Sequence, residues 1–401
     1  MSITQASNAI SREEWIKRAR MIGETAEAES QEAEQNGHFS DKVAKAIEEA
    51  EIHKLMRSPR YGGYSKDLDL NTYVDIVRTV GFYSIPAAWL TYFYSIHDIW
   101  AHYLPPEGRD EVLGTGGLLA DVLAPVGRGE KDGEDGFRIT GKWNFCSGVL
   151  WSEWAGLGAL VELEEGQGEE VCLVAAHESE FDIIKNWDTL GLRPTGSNGV
   201  SLDNVYIPRS RILPTKYLMK LGEPMGGDYD ESDPILRMPF IPFFLLGFMP
   251  VALGGIDRMM SVFHEKTSNR VRVFKEGSNE KESPSSQRLY SIWKTELSSL
   301  EGLTDIYVKK LEAYKREGKT AISDKEREEF FALRGQVSRK SANLIVEIML
   351  NLGGTSIYKG DAVERFTRDI LAFAAHPNHS YEDSMAAFGR TNFGFPGDPV
   401  W

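Results

Sequence analysis

The sequence predicts a mostly helical α+β protein in three parts. These are an N-terminal helical domain over residues 1–115, a small central β domain of barrel or sandwich type over 116–220, and a C-terminal helical bundle over 221–401. Two observations predict it. Apolar residues recur at helical spacing towards both ends of the chain, and the period shortens to strand alternation in the glycine-dense middle. Composition agrees: 401 residues, 41% hydrophobic and 26% charged, describe a globular chain able to bury a large core.

At the N-terminal end, Ser11 followed three residues later by Glu14 reads as a helix start, and Trp15, Ala19, Ile22 and Ala26 follow on one face. Ser40 caps a further helix through Val43 and Ile47. Residues 85–104, rich in Trp, Tyr and Phe, read as a buried helix. In the middle, residues 137–143 alternate as a strand after a Gly/Asp turn at 131–136, and 171–175 and 205–207 read likewise. Towards the C-terminus, Ala342, Ile345, Ile348, Met349 and Leu352 form one helical face that Gly353-Gly354 ends. Stretches 228–234 and 275–286 read as polar loops, the first of them mobile.

The net charge of −15 excludes nucleic acid and anionic membranes as principal partners, since both favour a basic face. Two cysteines, Cys146 and Cys172, make neither a disulfide framework nor a metal spacing. The first residues lack the pattern of a secretory signal, and the apolar run 239–250 is short for a bilayer span and carries three prolines. The expectation is a reduced, cytoplasmic protein off the membrane.

The chain contains no G-x-x-x-x-G-K-[ST], no G-x-G-x-x-G, no G-x-S-x-G and no H-E-x-x-H. His376 and His379 flank a proline and read either as two loop histidines or as a metal pair; no metal is expected. His97 lies among Trp89, Tyr92, Phe93 and Trp100, where a lone histidine is more often a satisfied core residue than a catalyst. The run 143–148 ends a strand in small residues, a simple hairpin exit by itself. The turn 188–199 is rich in hydroxyls and backbone donors able to cradle an anion.

Taken together, these segments resemble the acyl-CoA dehydrogenase superfamily. Residues 137–148 are similar to its "G-x-K-x-x-I-T-N-G" strand. Residues 190–197 through Val205-Tyr206-Ile207-Pro208 are similar to "G-x-R-x-(S/T)…V-x-V-P". Leu352-Gly353-Gly354 with Glu364-Arg365-Phe366-Thr367-Arg368-Asp369 is similar to "G-G…E-R-x-x-R-D". Two departures select a branch. Residues 123–129 lack the acidic and hydroxyl residues of the dehydrogenase "T-E-P-x-x-G-S-D" loop, and His376 stands near the place of the catalytic carboxylate. That pattern resembles the oxygenase components of two-component flavin-dependent monooxygenases, such as p-hydroxyphenylacetate hydroxylase and dibenzothiophene monooxygenase. Pro194, in place of a glycine, departs from it.

The resemblance implies reduced FMN, or alternatively FADH2, as cofactor and O2 as co-substrate. A separate NAD(P)H:flavin reductase would supply the flavin, a C4a-hydroperoxyflavin would hydroxylate a small phenolic or heteroaromatic substrate, and the chain would form a homotetramer. It implies His97, Ser147 and His376 as catalytic residues. Trp143, Cys146, Ser147, Thr195, Gly196, Ser197, Arg272, Gly353 and Gly354 would hold the cofactor. Trp89, Tyr92, Phe93, His379 and the run 239–250, Phe243 within it, are candidate substrate-pocket walls, for each of which core packing is at least as good a reading. The alternatives are N- or S-oxygenation, or an acyl-CoA dehydrogenase or oxidase whose base is Glu382 or Asp383.

Overall fold

The computed structural model describes residues 10–67, 69–272 and 277–397. Six helices come first: α1 Arg12–Ala28, α2 Ser30–Asn36, α3 Asp41–Glu49, α4 Leu70–Tyr83, α5 Ile85–Ile96 and α6 Pro106–Gly114. Ser11 accepts from the Glu14 amide to start α1, and Ser40 accepts from the Lys42 amide to start α3. Every residue of α5 is buried, so it is the central helix of its part. The expected single helix over 85–104 is two elements: the α-helical turns end at Ile96 and a tighter 3-10 segment continues over His97–Tyr103.

The middle of the chain folds as β1 Leu119–Lys131, β2 Gly136–Trp143, β3 Trp154–Val161, β4 Glu170–His177, β5 Asp182–Ile184, β6 Gly199–Pro208 and β7 Ile212–Pro214. These form one mixed sheet in the order β5-β6-β2-β1-β3-β4-β7, with β1 parallel to β3 and the other pairs antiparallel. Phe137, Ile139, Trp143, Leu157, Val174 and Ile207 gather in a hydrophobic core belonging to the sheet. The stretch 123–129 lies within β1. Its pairing with β3 shifts register between Val122 and Gly127, and the irregularity accommodates Pro125, which has no amide hydrogen to donate.

Helices return as α7 Phe240–Phe244, α8 Phe248–Asn269, α9 Pro284–Glu317, α10 Asp324–Leu352, α11 Ala362–Ala374 and α12 Tyr381–Asn392. Between α8 and α9, Val271–Arg272 (β8) pairs with Ser278–Asn279 (β9). The stretch 275–286 is thus a hairpin arm and a helix start rather than a loop, with residues 275 and 276 outside the described set. The acidic stretch 228–234 is not free either. Arg60 reaches Asp228 at 2.9 Å, Lys66 pairs with Asp230, and Asp233 is buried. Those cations lie more than 160 positions away in sequence, so local composition could not show them. The helical stretch Phe240–Asn269 is long and apolar enough to cross a membrane by composition, but 89% of its most apolar window is buried inside the protein, as in a core helix.

A buried ion pair anchors the 3-10 segment after α5 to the chain before that helix. Arg57 donates to Asp98 at 2.5 Å and to the Gly117 carbonyl, and both charged side chains are fully buried. Burial pushes the Asp98 carboxyl up to about 6 against the pull of Arg57.

Candidate functional site

The site grows from the end of β2. Trp143 is the last strand residue, and its ring turns into the sheet core, donating to the Gly158 carbonyl at 2.7 Å. Phe145 then adopts φ 66°, a conformation rare for a side chain of this size. The reversal leaves Phe145 70% exposed, edge-on to Trp187 at 6.0 Å. Cys146 returns to the core, and Ser147 faces α5. Gly148 (φ 75°) completes the turn where a Cβ would meet the Tyr94 hydroxyl at 2.3 Å.

Ser147 belongs to a buried line of polar groups. The Trp89 indole N–H donates to Ser147 Oγ at 2.9 Å. Ser147 Oγ lies 3.0 Å from Ser197 Oγ, and Ser197 Oγ 2.7 Å from Thr195 Oγ1. Thr195 donates onward to the Leu192 carbonyl at 2.8 Å. The loop carrying Thr195, Gly196 and Ser197 is held from behind by Asp369, which accepts from the Leu192 amide at 2.7 Å. Gly191 is obligatory there, since a Cβ would sit 2.2 Å from the Arg368 carbonyl.

Burial, with Glu34 nearby, pushes the Asp369 carboxyl up to about 7. A raised carboxyl pKa means that the folded state binds more protons than the unfolded state between about pH 4 and 7. Asp369 therefore subtracts stability as pH rises through that window. Asp369→Asn, which keeps the acceptor without the charge, is expected to raise the melting temperature more at pH 8 than at pH 5, by a difference of about 2 °C or more. Thermal melts at the two pH values check it, and an equal shift at both would exclude the charge as the cause.

On the α5 side the walls are aromatic. Trp89 stacks on Phe93 at 5.0 Å and meets Phe248, Phe373 and His376, the last at 5.6 Å. His376 also packs against Phe248 at 5.1 Å. Its Nδ1 accepts from the Asn378 amide at 3.3 Å, so the neutral ring carries its proton on Nε2. Apolar surroundings, and His97 nearby, push its pKa down to about 4, and the ring is a neutral donor at neutral pH. His379 is buried against Phe248 and Phe373, with Nε2 on the Phe373 carbonyl.

His97 is clamped. Phe93 lies 3.9 Å and Phe244 3.8 Å from its ring, Nδ1 meets Asp121 at 2.6 Å, and Nε2 meets the Tyr92 hydroxyl at 2.9 Å. Tyr92 in turn donates to the Phe244 carbonyl at 2.9 Å. Both ring nitrogens of His97 thus have protein partners.

The structure brings Ser147, Thr195, Ser197, Trp89, Phe93, His376 and His379 into one connected region, with Tyr92 beside them on α5 and His97 just past the end of that helix, stacked on Phe93. It does not bring all the expected residues there. Trp143 points into the sheet core by the alternation of β2, and Cys146 joins it because the turn at Phe145 inverts that alternation. Phe243 is buried, but its neighbour Phe244 is the ring on His97. Arg272 is engaged by Glu280 at 3.2 Å and by Ser283 at 3.0 Å. Gly353 (φ 83°) ends α10 beside Arg270, and Gly354 has open space around it. Glu382 is exposed and paired with Arg339 at 2.6 Å, and Asp383 is exposed, so neither is placed as a base. Asp121, Phe145, Trp187 and Phe373 were not singled out from sequence, whereas Phe244 and Phe248 lie in the expected wall run 239–250. Strand alternation offered no signal for Phe145, since it points that position inward with Trp143. No group of three or more His, Cys, Asp or Glu side chains gathers for a metal among the described residues.

No family model matches the chain. Curated relatives do. A pigment production hydroxylase of a Rhodococcus species is 24% identical over 98% of this chain and 99% of its own length. The oxygenase component of p-hydroxyphenylacetate 3-hydroxylase from Acinetobacter baumannii is 25% identical over 92% and 87%. The HsaA oxygenase subunit of Rhodococcus jostii is 24% identical over 92% and 95%. Among solved structures, XiaF from a Streptomyces species, in complex with FADH2 and glycerol, superposes with a TM-score of 0.87 at 21% identity over 97% of both chains. FMN-bound TdsC from a Paenibacillus species superposes at 0.79 and 16% identity over 96% of this chain and 98% of that one. The chain therefore has the acyl-CoA dehydrogenase-like fold, and its homologues are the oxygenase components of two-component flavin-dependent monooxygenases.

Proposed function

We propose that this chain is the oxygenase component of a two-component monooxygenase that uses reduced flavin and O2 to hydroxylate a small aromatic molecule, phenolic or heteroaromatic. The observation that carries the reading is the buried line Trp89–Ser147–Ser197–Thr195, which runs from an aromatic cluster containing His376 to the Leu192 carbonyl, where Trp187 and the exposed Phe145 begin.

The residues fit a flavin. Phe145 and Trp187 offer an exposed aromatic surface. Ser147, next to it, has a hydroxyl oxygen with one lone pair unclaimed among the described residues. Thr195, Gly196 and Ser197 add hydroxyl and backbone donors. Bound flavin supplies the oxygen-activating chemistry. The chain's own residues hold it, keep water away and place the substrate. Ser147 would hydrogen-bond the flavin, at N5 in this reading. Trp89, Phe93, Phe248 and Phe373 make a dry apolar wall that limits wasteful peroxide release. His376 would offer its Nε2 hydrogen to the substrate side, and Asp121 and Tyr92 hold His97 in one orientation.

FMN is the favoured flavin and FADH2 the alternative. A separate NAD(P)H:flavin reductase delivers it, because this chain carries no dinucleotide fingerprint. Arg272 would have to exchange Glu280 for a phosphate. A homotetramer in the cytoplasm, with a second copy approaching Gly353-Gly354, completes the reading. Among the described residues the dehydrogenase alternative has no free carboxylate beside His376, since Asp121 is committed to His97.

With chemically reduced FMN, a panel of phenols and the full chain, oxygen uptake is expected to yield hydroxylated product. Ser147→Ala should divert it to hydrogen peroxide, lowering product per oxygen about tenfold, the scale of one lost hydrogen bond to a charged or polarised partner. Equal peroxide yields from wild type and variant would sink the proposal.

A further inference from the structure

The direction of the hydroxyl line follows from counting hydrogens. The Trp89 indole can only donate, so Ser147 Oγ accepts there. At the other end the Leu192 carbonyl can only accept, and Thr195 gives it its single hydroxyl hydrogen. Thr195 Oγ1 then accepts from Ser197, and Ser197 Oγ accepts from Ser147. Run this way, every hydroxyl hydrogen has an acceptor. Run the other way, the Thr195–Leu192 bond is lost and the Ser147 hydrogen points at nothing in the chain. A buried donor without an acceptor is costly, and the first direction is the resting one.

We infer that Thr195 and Ser197 are positioning residues that hold the Ser147 hydroxyl as a hydrogen-bond acceptor, so that the site prefers a flavin bearing a hydrogen at N5, the reduced form. The inference rests on the reading that Ser147 meets N5. Reduced flavin carries N5–H and offers a donor to the free lone pair of Ser147. Oxidised flavin has a bare N5 lone pair and can be met only if the whole line reverses. No residue of the line is charged, and none contacts the substrate side except Trp89. The preference is thus written into a loop on the far side of Ser147 from the pocket, three residues from the carbonyl that terminates it.

The test compares dissociation constants for oxidised FMN and dithionite-reduced FMN, measured by anaerobic titration on the full chain, for wild type, Thr195→Val, Thr195→Ser and Ser147→Ala. Valine keeps the shape and removes the terminal donor. The Ser197 hydrogen then has only Ser147 to bond, and the line reverses. The ratio of oxidised to reduced dissociation constants is expected to fall about tenfold in Thr195→Val, the scale of one net hydrogen bond, and to stay at the wild-type value in Thr195→Ser. An unchanged ratio in Thr195→Val, beside a changed one in Ser147→Ala, overturns the inference and leaves Ser147 at N5. No change in either variant overturns both. Equal weakening of both redox forms in Thr195→Val, or a serine variant that behaves like the valine one, assigns Thr195 a purely structural role and also overturns the inference.

Discussion

His376→Ala is expected to lower kcat/KM for hydroxylation by about 10²-fold, the lower end of what a positioned proton donor contributes, with bound-flavin affinity little changed. The geometry behind this is the Asn378 amide on Nδ1, which fixes the hydrogen on Nε2. Because the ring titrates near 4, it is neutral across the physiological range. The wild-type rate should then show no inflection from this group between about pH 5.5 and 8. His376→Gln, which also presents an N–H, should recover part of the loss. A steady-state pH series on the three proteins checks it. A wild-type inflection near 6.5 that disappears in His376→Ala would show a ring that titrates in contact with solvent, and the neutral-donor role would fail.

Asp98→Ala is expected to cost about 3–5 kcal/mol of stability, because it leaves the Arg57 guanidinium buried without its counter-charge. Both side chains are fully buried, so solvent cannot screen the loss. Urea unfolding followed by circular dichroism measures it. The midpoint should fall with little change of slope, and Asp98→Asn should lose less. The pair holds residues 57 and 98 together directly beside His97, so the Asp98→Ala protein should also lose the clamped geometry of that ring. A midpoint shift below about 1 kcal/mol would mean that water reaches the guanidinium.

Acid stability has a definite sign at the buried histidines. His53 and His102 are pushed down to about 3, and His376 to about 4, by burial. A depressed histidine pKa means that the unfolded state binds more protons between about pH 4 and 6.5, so each ring subtracts stability as pH falls through that window. Asp369 works in the opposite sense.

Much of the fold was legible because it rests on period and local hydrogen bonds. The helical faces of Trp15–Ala26 and Ala342–Leu352, the caps at Ser11 and Ser40, and the alternation of 137–143 each depend on neighbours a few positions away. Even the tight break at Ile96 is a local event that the aromatic run concealed, because burial all round leaves no face to count. The site was legible only as residue types. Ser147, Thr195, Ser197 and His376 stood out through motif order. That Thr195, Ser197, Ser147 and Trp89 form one line could not, since Trp89 lies 58 positions from Ser147.

The sequence by itself determined the order of helices, strands and helices, and the chemical kinds of residue at each turn. Tertiary structure alone decided which of them face one another. One positive φ at Phe145 turns Phe145 outward and sends Cys146 into the sheet core beside Trp143. Asp121, arriving from a different strand, occupies one nitrogen of His97 while Tyr92 holds the other. Glu280 claims Arg272. Period records which face of an element is buried, but not what it is buried against; that partner is set by packing of segments far apart in the chain, and the chemistry of a polar group is set by its partner.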